Sequence, residues 1–251
     1  MMQLFGIRTR LIKPKDDLSG MVLNAIGKQK LTIDDGDVLV FASKVVSTVQ
    51  GRLKELGAIT PSEEAKTLAE KYKLDPRFAE VVLLEADKVY GGVSGSLLTL
   101  KNGALVPNAG ADHKNAPHGF VVLWPQSPHE TAEKIRNEIV ERTGKNVGVL
   151  IIDSRITPLR MGTVGLAIGV AGFVPIRDCR AEIDLYGKPL LITRHGVADD
   201  LAGAAHLIMG EVDECVPAVL AKDAPISLTE KVRPCSMLIS EKNCLFMNSF
   251  A

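Results

Sequence analysis

Three short segments of the chain combine hard oxygen ligands with small residues. The first is Asn108-Ala109-Gly110-Ala111-Asp112-His113-Lys114-Asn115. Small residues let the backbone approach a ligand, and the Asp112 carboxylate can hold a hard cation. Asn115 can recognise a base or a phosphate. The same composition also suits a plain turn, because Asn, Gly and Asp all favour turns. The second segment is Asp153-Ser154, directly after the apolar run Gly148 to Ile152. Ligands of open α/β sheets gather at the carboxyl ends of strands, where this pair could bind a metal and its phosphates. A helix N-cap would use the same residue types. The third is Met209-Gly210-Glu211-Val212-Asp213-Glu214. Acidic runs usually mark a solvated face, but Glu211, next to Gly210, can turn inward to a metal. A further candidate is Ser43-Lys44, with Ser47-Thr48 close behind. Hydroxyls and a lysine at a strand end suit phosphate oxygens, and a solvated Lys44 fits equally.

Other signatures are missing. There is no G-x-x-x-x-G-K-[ST] phosphate loop. Gly91 to Gly95 reads as a flexible loop, and His129-Glu130 lacks the second histidine of a metalloprotease. His206 reads as a satisfied core histidine, and Met161 and Met209 as packing residues.

These residues need elements to hold them. Asp37 to Ala42, Gly119 to Trp124 and Val147 to Ile152 read as strands buried on both faces. Val81 to Leu84 fits either a strand or a buried helix. Thr60-Pro61-Ser62-Glu63 and Ser127-Pro128-His129-Glu130 each offer an N-cap hydroxyl, an early Pro and a returning Glu. The second predicts a helix with Ala132, Ile135 and Ile139 inward and Gly144 as its C-terminal cap. A third helix spans about Ala198 to Met209, with Leu201, Ala205 and Ile208 inward and Gly210 ending it. Leu97 to Gly119 reads as a long irregular connection, which in a compact domain is often functional.

The composition bounds the rest. The chain has 251 residues, 46% of them hydrophobic, enough to bury a sizeable core. Its 30 basic and 30 acidic residues balance, which argues against nucleic acid as a partner. Met1 to Arg10 lacks the apolar core of a signal peptide, and no run of about 18 apolar residues offers a membrane span. Cys179, Cys215, Cys235 and Cys244 form no C-x-x-C pair, so they read as buried free thiols in a reducing cytoplasm.

Taken together, the segments resemble the coenzyme F(420)-0:L-glutamate ligase family over nearly the whole chain. The resemblance is carried by Gly36-Asp37-Val38-Leu39-Val40, Asn108 to Asp112, Gly148 to Ser154, Ala167 to Gly172, Asp184-Leu185-Tyr186-Gly187, Ala198 to Ala202 and Met209 to Glu214. It implies an α/β (mixed α+β) ligase-like fold over residues 1–251, with room for a smaller subdomain, forming an intertwined homodimer. It implies GTP as co-substrate, two Mn2+ or Mg2+ sites, K+ as a candidate further ion, and addition of L-glutamate through a γ-linked amide to a deazaflavin precursor. Carried over residue by residue, the metal ligands fall on Asp112, Asp153, Ser154 and Glu211. The nucleotide contacts fall on Thr9, Arg10, Leu11 and Ile12, on Ser43, Lys44, Thr48 and Asn115, and on Met209, Gly210, Glu211, Val212, Asp213, Glu214, Cys215 and Val216.

Four departures from the family's pattern stand out. Thr48 replaces a lysine, and Ser154 replaces a threonine with its hydroxyl kept. Arg155-Ile156-Thr157-Pro158-Leu159-Arg160 keeps only the Pro and final Arg of the usual run, and Ala181 stands where glycine is usual. They leave two alternatives open: a related ligase acting on another carboxylate or nucleotide, and a paralogue that binds nucleotide and metal without turnover.

Overall fold

The computed structural model describes residues 1–232 and 237–249. From the N-terminus the chain forms β1 (Gln3–Ile7), α1 (Leu18–Lys28), β2 (Val38–Ala42), α2 (Ser43–Val49), β3 (Leu53–Glu55), α3 (Glu63–Tyr72) and α4 (Pro76–Glu85). Then come β4 (Lys88–Val93), β5 (Ser96–Lys101), β6 (Ala104–Pro107), β7 (Phe120–Val122), α5 (Pro128–Thr143), β8 (Gly148–Ile156) and β9 (Thr163–Ala171). The remainder is β10 (Arg177–Asp178), β11 (Arg194–His195), α6 (Val197–Met209), β12 (Ala218–Lys222) and α7 (Leu245–Ser249). The fold is mixed α/β. Among the described residues, no helix is long and apolar enough to cross a membrane.

A five-stranded sheet in the order β1-β12-β2-β8-β9 organises the molecule. Its neighbours are antiparallel except β2 and β8, which run parallel with Val38 opposite Gly148 and Ala42 opposite Ile152. β2 and the first part of β8, Gly148 to Ile152, are apolar throughout because both faces are covered. Leu39, Phe41, Val149 and Ile151 point to one core, where α1 and α5 supply Val22, Ile26, Ile135 and Ile139. Val38, Val40, Leu150 and Ile152 point to the other, where α6 supplies Ala198, Leu201, Ala202 and Ala205. Burying each such Val, Leu or Ile contributes about 1.5–3 kcal/mol. A separate core, with Phe78, Val81, Val82, Leu97 and Val121, joins α4 to the smaller sheets β4-β5-β6 and β3-β7.

β9 changes its allegiance part-way. The register of β8 against β9 shifts between Ile151 and Ile152. Leu166 and Ile168 join the core under α5, whereas Ala167 and Val170 join the core under α6. The side chain of Gly165 is absent for a packing reason: a Cβ there would overlap the Ala202 carbonyl in α6. The bare strand lets that helix lie close on the sheet.

Several sequence expectations need correcting. Gly119 to Trp124 is extended only over Phe120–Val122, where β7 pairs with β3. Val81 to Leu84 lies in α4, capped by Asp75, whose side chain accepts from Arg77 N (2.8 Å), with Pro76 in its first turn. Ser62, rather than Thr60, caps α3; its hydroxyl accepts from Ala65 N, and Pro61 falls outside the helix. The Ser62 amide donates to the Glu80 carboxylate of α4, which takes the place expected for Glu63. Ser127 makes no side-chain cap bond. Leu97 to Pro107 is a β5-β6 hairpin, so the irregular connection starts only at Asn108. In α6, Ile208 is exposed and Met209 is buried in its place, and Met161 is fully exposed rather than packed. Cys179 is a buried free thiol, but Cys215 is exposed and Cys244 half-buried; Cys235 lies outside the described residues.

Ala181 adopts φ +66°. The left-handed region costs a residue with a Cβ roughly 1–2 kcal/mol, and a glycine's extra unfolded-state freedom offsets part of any relief. Ala181→Gly is therefore expected to raise stability by up to about 1 kcal/mol. A thermal melt checks this, and an unchanged or lower midpoint would contradict the strain argument.

Candidate active site

The carboxyl ends of the parallel pair β2 and β8 lie side by side, and the chemistry-bearing residues collect there. Ser43 opens α2 directly after β2, and Asp153 and Ser154 lie near the end of β8. The Ser43 hydroxyl donates to Asp153 Oδ1 (2.9 Å), as does the Ser154 amide (2.9 Å). The indole N–H of Trp124, the chain's one tryptophan, donates to Asp153 Oδ2. Burial pushes the Asp153 carboxyl above its ordinary range, against the pull of these three donors and of the Lys44 charge. A half-buried, desolvated carboxylate in this state is served by a further positive charge.

Asp112 reaches the same place from the opposite side. Its backbone is fixed by a reciprocal pair of bonds with Val122 (2.9 Å each). Its Oδ1 accepts from Lys114 N (2.9 Å), which is the turn chemistry open from the sequence. Its Oδ2 faces the Lys44 ammonium at 2.7 Å. One side chain thus fills both roles of a turn former and an ion partner.

Glu211 arrives from α6. Gly210 has φ +74° and ψ −174°, a conformation reserved for glycine, and it stops the helix and folds the chain back. The Glu211 carboxylate then receives Lys114 Nζ on Oε2 (2.8 Å), and Thr163 Oγ1 (2.8 Å) on Oε1, where His206 Nε2 also lies at 2.7 Å. Burial opposes its charge, but bonds from Lys114, His206 and Thr163 prevail and bring the carboxyl down to about 2. The same bond to Glu211 raises the Lys114 ammonium despite burial, and the charges of Asp112 and Asp153 act alike. Of the other carboxylates in this run, Asp213 is exposed and Glu214 accepts from Val212 N (2.9 Å) in its own loop.

A cavity of about 660 Å³ opens beside these groups. Its lining includes Thr9 to Ile12, Ser43, Lys44, Thr48, Asn115, Asp153, Ser154 and the whole run Met209 to Val216. The turn after β1 is held against the segment that leads from α6 to β12 by Thr9 N donating to Cys215 O (3.4 Å). Arg10 is engaged with Asp16 at 2.8 Å, and Asn115 donates to the Val212 carbonyl at 3.0 Å. The Thr48 hydroxyl is spent on the Lys44 carbonyl of its own helix (2.7 Å). Asp112 is the one expected site residue outside this lining. It borders an adjoining cavity of about 200 Å³, whose wall also includes Asp153 and Ser154.

Sequence reading passed over four partners. His206, expected in the core, lines the larger cavity on Glu211; its position in the last turn of α6, one turn before Glu211, was the available signal. Lys114 lay inside a segment already singled out, but no role for it followed from spacing. Thr163 and Trp124 are brought in by pairing across β8 and β3, which no local pattern announces.

The donors Asp112, Asp153, Ser154 and Glu211 are all oxygens, the chemistry that hard divalent cations require. Two ammonium groups hold two of these carboxylates, Lys44 on Asp112 and Lys114 on Glu211. Among the described residues, no three His, Cys, Asp or Glu side chains close around a single point as a cage. The donor set fits a hard cation by its chemistry and by the desolvation of Asp153.

Comparison with known proteins gives consistent matches. A family model described as F420-0:Gamma-glutamyl ligase matches residues 6–223. The coenzyme F420:L-glutamate ligase of Methanopyrus kandleri is 41% identical over 212 residues, covering 84% of this chain and 82% of that protein. The protein of the same name from Methanothermobacter thermautotrophicus is 38% identical over 216 residues, covering 86% of each chain. That from Methanocaldococcus jannaschii is 41% identical over 195 residues, covering 77% of this chain and 78% of its own.

Proposed function

The chain belongs to the F420-0:Gamma-glutamyl ligase family, and from that premise we propose that it adds L-glutamate, through a γ-linked amide, to a deazaflavin coenzyme F(420) precursor at the expense of GTP. The observation that carries this reading is the gathering of residues far apart in sequence around one 660 Å³ cavity at the ends of β2 and β8. A cavity of that size falls within the roughly 300–1,000 Å³ of ligand sites.

In this reading Thr9 to Ile12, Ser43, Lys44, Thr48, Asn115 and Met209 to Val216 hold the nucleotide. Asp112, Asp153, Ser154 and Glu211 hold two divalent cations, Mn2+ or Mg2+. When bound, the cations neutralise charge on the triphosphate. The γ-phosphoryl group passes from GTP to a precursor carboxylate, giving GDP and an acyl phosphate. The glutamate amine, having shed one proton to solvent, attacks the acyl carbon. A C–N bond forms, the C–O bond breaks, and inorganic phosphate leaves with the second proton. No side chain serves as nucleophile, so the protein contributes position and electrostatics. Lys44, which lines the larger cavity, is the cation this chain itself can turn toward phosphate oxygens.

The test is incubation of the protein with precursor, GTP, Mn2+ and L-glutamate, read by mass spectrometry. The expected result is a product heavier by one glutamyl residue, with GDP and phosphate formed in step. Folded protein that makes no such product from authentic substrate would sink the reading. Nucleotide hydrolysis coupled to a different carboxylate would favour the related-ligase alternative, which the tied-down Thr48 hydroxyl supports.

The proposed working form is a cytoplasmic homodimer. Leu159, Met161, Leu185, Tyr186 and Ile192 are almost wholly exposed, and nothing in the described chain covers them. Light scattering is expected to give twice the 27.0 kDa chain mass. Leu185→Asp is expected to shift that mass toward the monomer; a monomeric native protein would contradict the proposal.

A further inference from the structure

The smaller cavity, which Asp112, Asp153 and Ser154 line, has no organic occupant in the scheme above. It holds about 200 Å³ and adjoins the larger cavity across Asp153 and Ser154, which line both. We infer that it seats the amino-acid co-substrate, L-glutamate, with a carboxylate of that molecule held by Lys114 and Thr163. This rests on the ligase reading.

Size is the first argument. The cavity is smaller than the roughly 300 Å³ at which drug-sized sites begin, so neither a nucleotide nor a deazaflavin fits, while a single amino acid does. The lining is the second. Val106 and Ile156 give an apolar wall for a short methylene stem, and Lys114 and Thr163 give a cation and a hydroxyl beside it. The third argument is a carboxylate already bound by these two donors. Lys114 Nζ and Thr163 Oγ1 each lie 2.8 Å from an oxygen of Glu211. The chain's own glutamate side chain thus occupies the pair of donors that an incoming glutamate would use. If Glu211 turns toward a cation, both donors are released into the cavity they line. The shared wall then brings the amine next to whatever acyl group the larger cavity presents, so that attack becomes effectively unimolecular.

Steady-state kinetics on the assembled reaction separate this from other assignments. For Lys114→Met, KM for L-glutamate is expected to rise about 10- to 100-fold, the effect of losing one charge-assisted bond, with KM for GTP within about twofold. Lys114→Arg should recover part of the loss. Ile156→Trp, at a half-exposed position that tolerates a larger side chain (54% exposed), fills the cavity. It should abolish calorimetric binding of L-glutamate to the protein loaded with Mn2+ and a non-hydrolysable GTP analogue, while nucleotide binding persists. Unchanged glutamate KM and binding in both variants, or a rise confined to GTP or the deazaflavin, would overturn the placement while leaving the ligase reading intact. A wild-type protein that makes no glutamylated product overturns both.

Discussion

Asp153→Ala is expected to lower kcat/KM by about a thousandfold or more, roughly 4 kcal/mol of transition-state stabilisation, while leaving the protein folded. Asp153 stands near the carboxyl end of the parallel pair and is the proposed carboxylate ligand that lines both cavities. No neighbour can replace it, because Asp112 and Glu211 are pinned to other elements. The fold loses little by the change. Burial disfavours the Asp153 charge, so its removal relieves a desolvation cost, and this offsets the two donors left unpaired on Ser43 and Trp124. Turnover with GTP and Mn2+, set beside a circular-dichroism melt, checks both halves. A variant keeping more than about a tenth of the wild-type activity would mean that Asp153 is not a metal ligand; activity lost together with the fold would mean that its role is structural.

The second large effect is on stability. Gly165→Val is expected to destabilise the protein by about 3 kcal/mol or more, beyond the ordinary cost of overpacking. The new side chain would meet backbone, the Ala202 carbonyl, rather than a side chain able to rotate away. α6 would have to lift from the sheet, and it carries His206 and the turn that aims Glu211. Activity should therefore fall along with the denaturation midpoint. Gly203→Ala is the control. Gly203 is one residue along from that contact, and a Cβ there meets nothing, so the change should stabilise the helix by about 0.5–1 kcal/mol. Equal effects from the two substitutions would show that helix propensity, not close approach, governs this surface.

What could be read from the sequence followed from how local each signal was. The runs at β2 and β8 were legible because strands buried on both faces are continuously apolar, and α5 because its stripe and Gly144 agree. The hairpin of β5 and β6 was misread as irregular because Gly103 and Pro107 look like loop residues. In fact Asn102 and Gly103 have φ +49° and +78°, as a tight hairpin turn requires, and Pro107 ends the last strand. In α6, Leu201 and Ala205 face inward as expected, but the last inward position falls to Met209 rather than Ile208, because small residues on several sides blur which face is inward. The site was partly legible. Asp112, Asp153 and Glu211 could be picked out by type and by position at element ends. Their partners could not, since Trp124, Thr163 and Lys114 meet them only through pairing across the sheets and loops.

The lysine seated on Asp112 has a thermodynamic implication for the proposed reading. An ammonium cannot face a carboxylate and a phosphate at once. A triphosphate that drew Lys44 away would bare Asp112 just as it brought the negative charge that divalent ions balance. Each ligand then tightens the other by the same factor, as reciprocity demands. On the proposed reading, the free protein would grip cations weakly, and the nucleotide would decide when that grip begins.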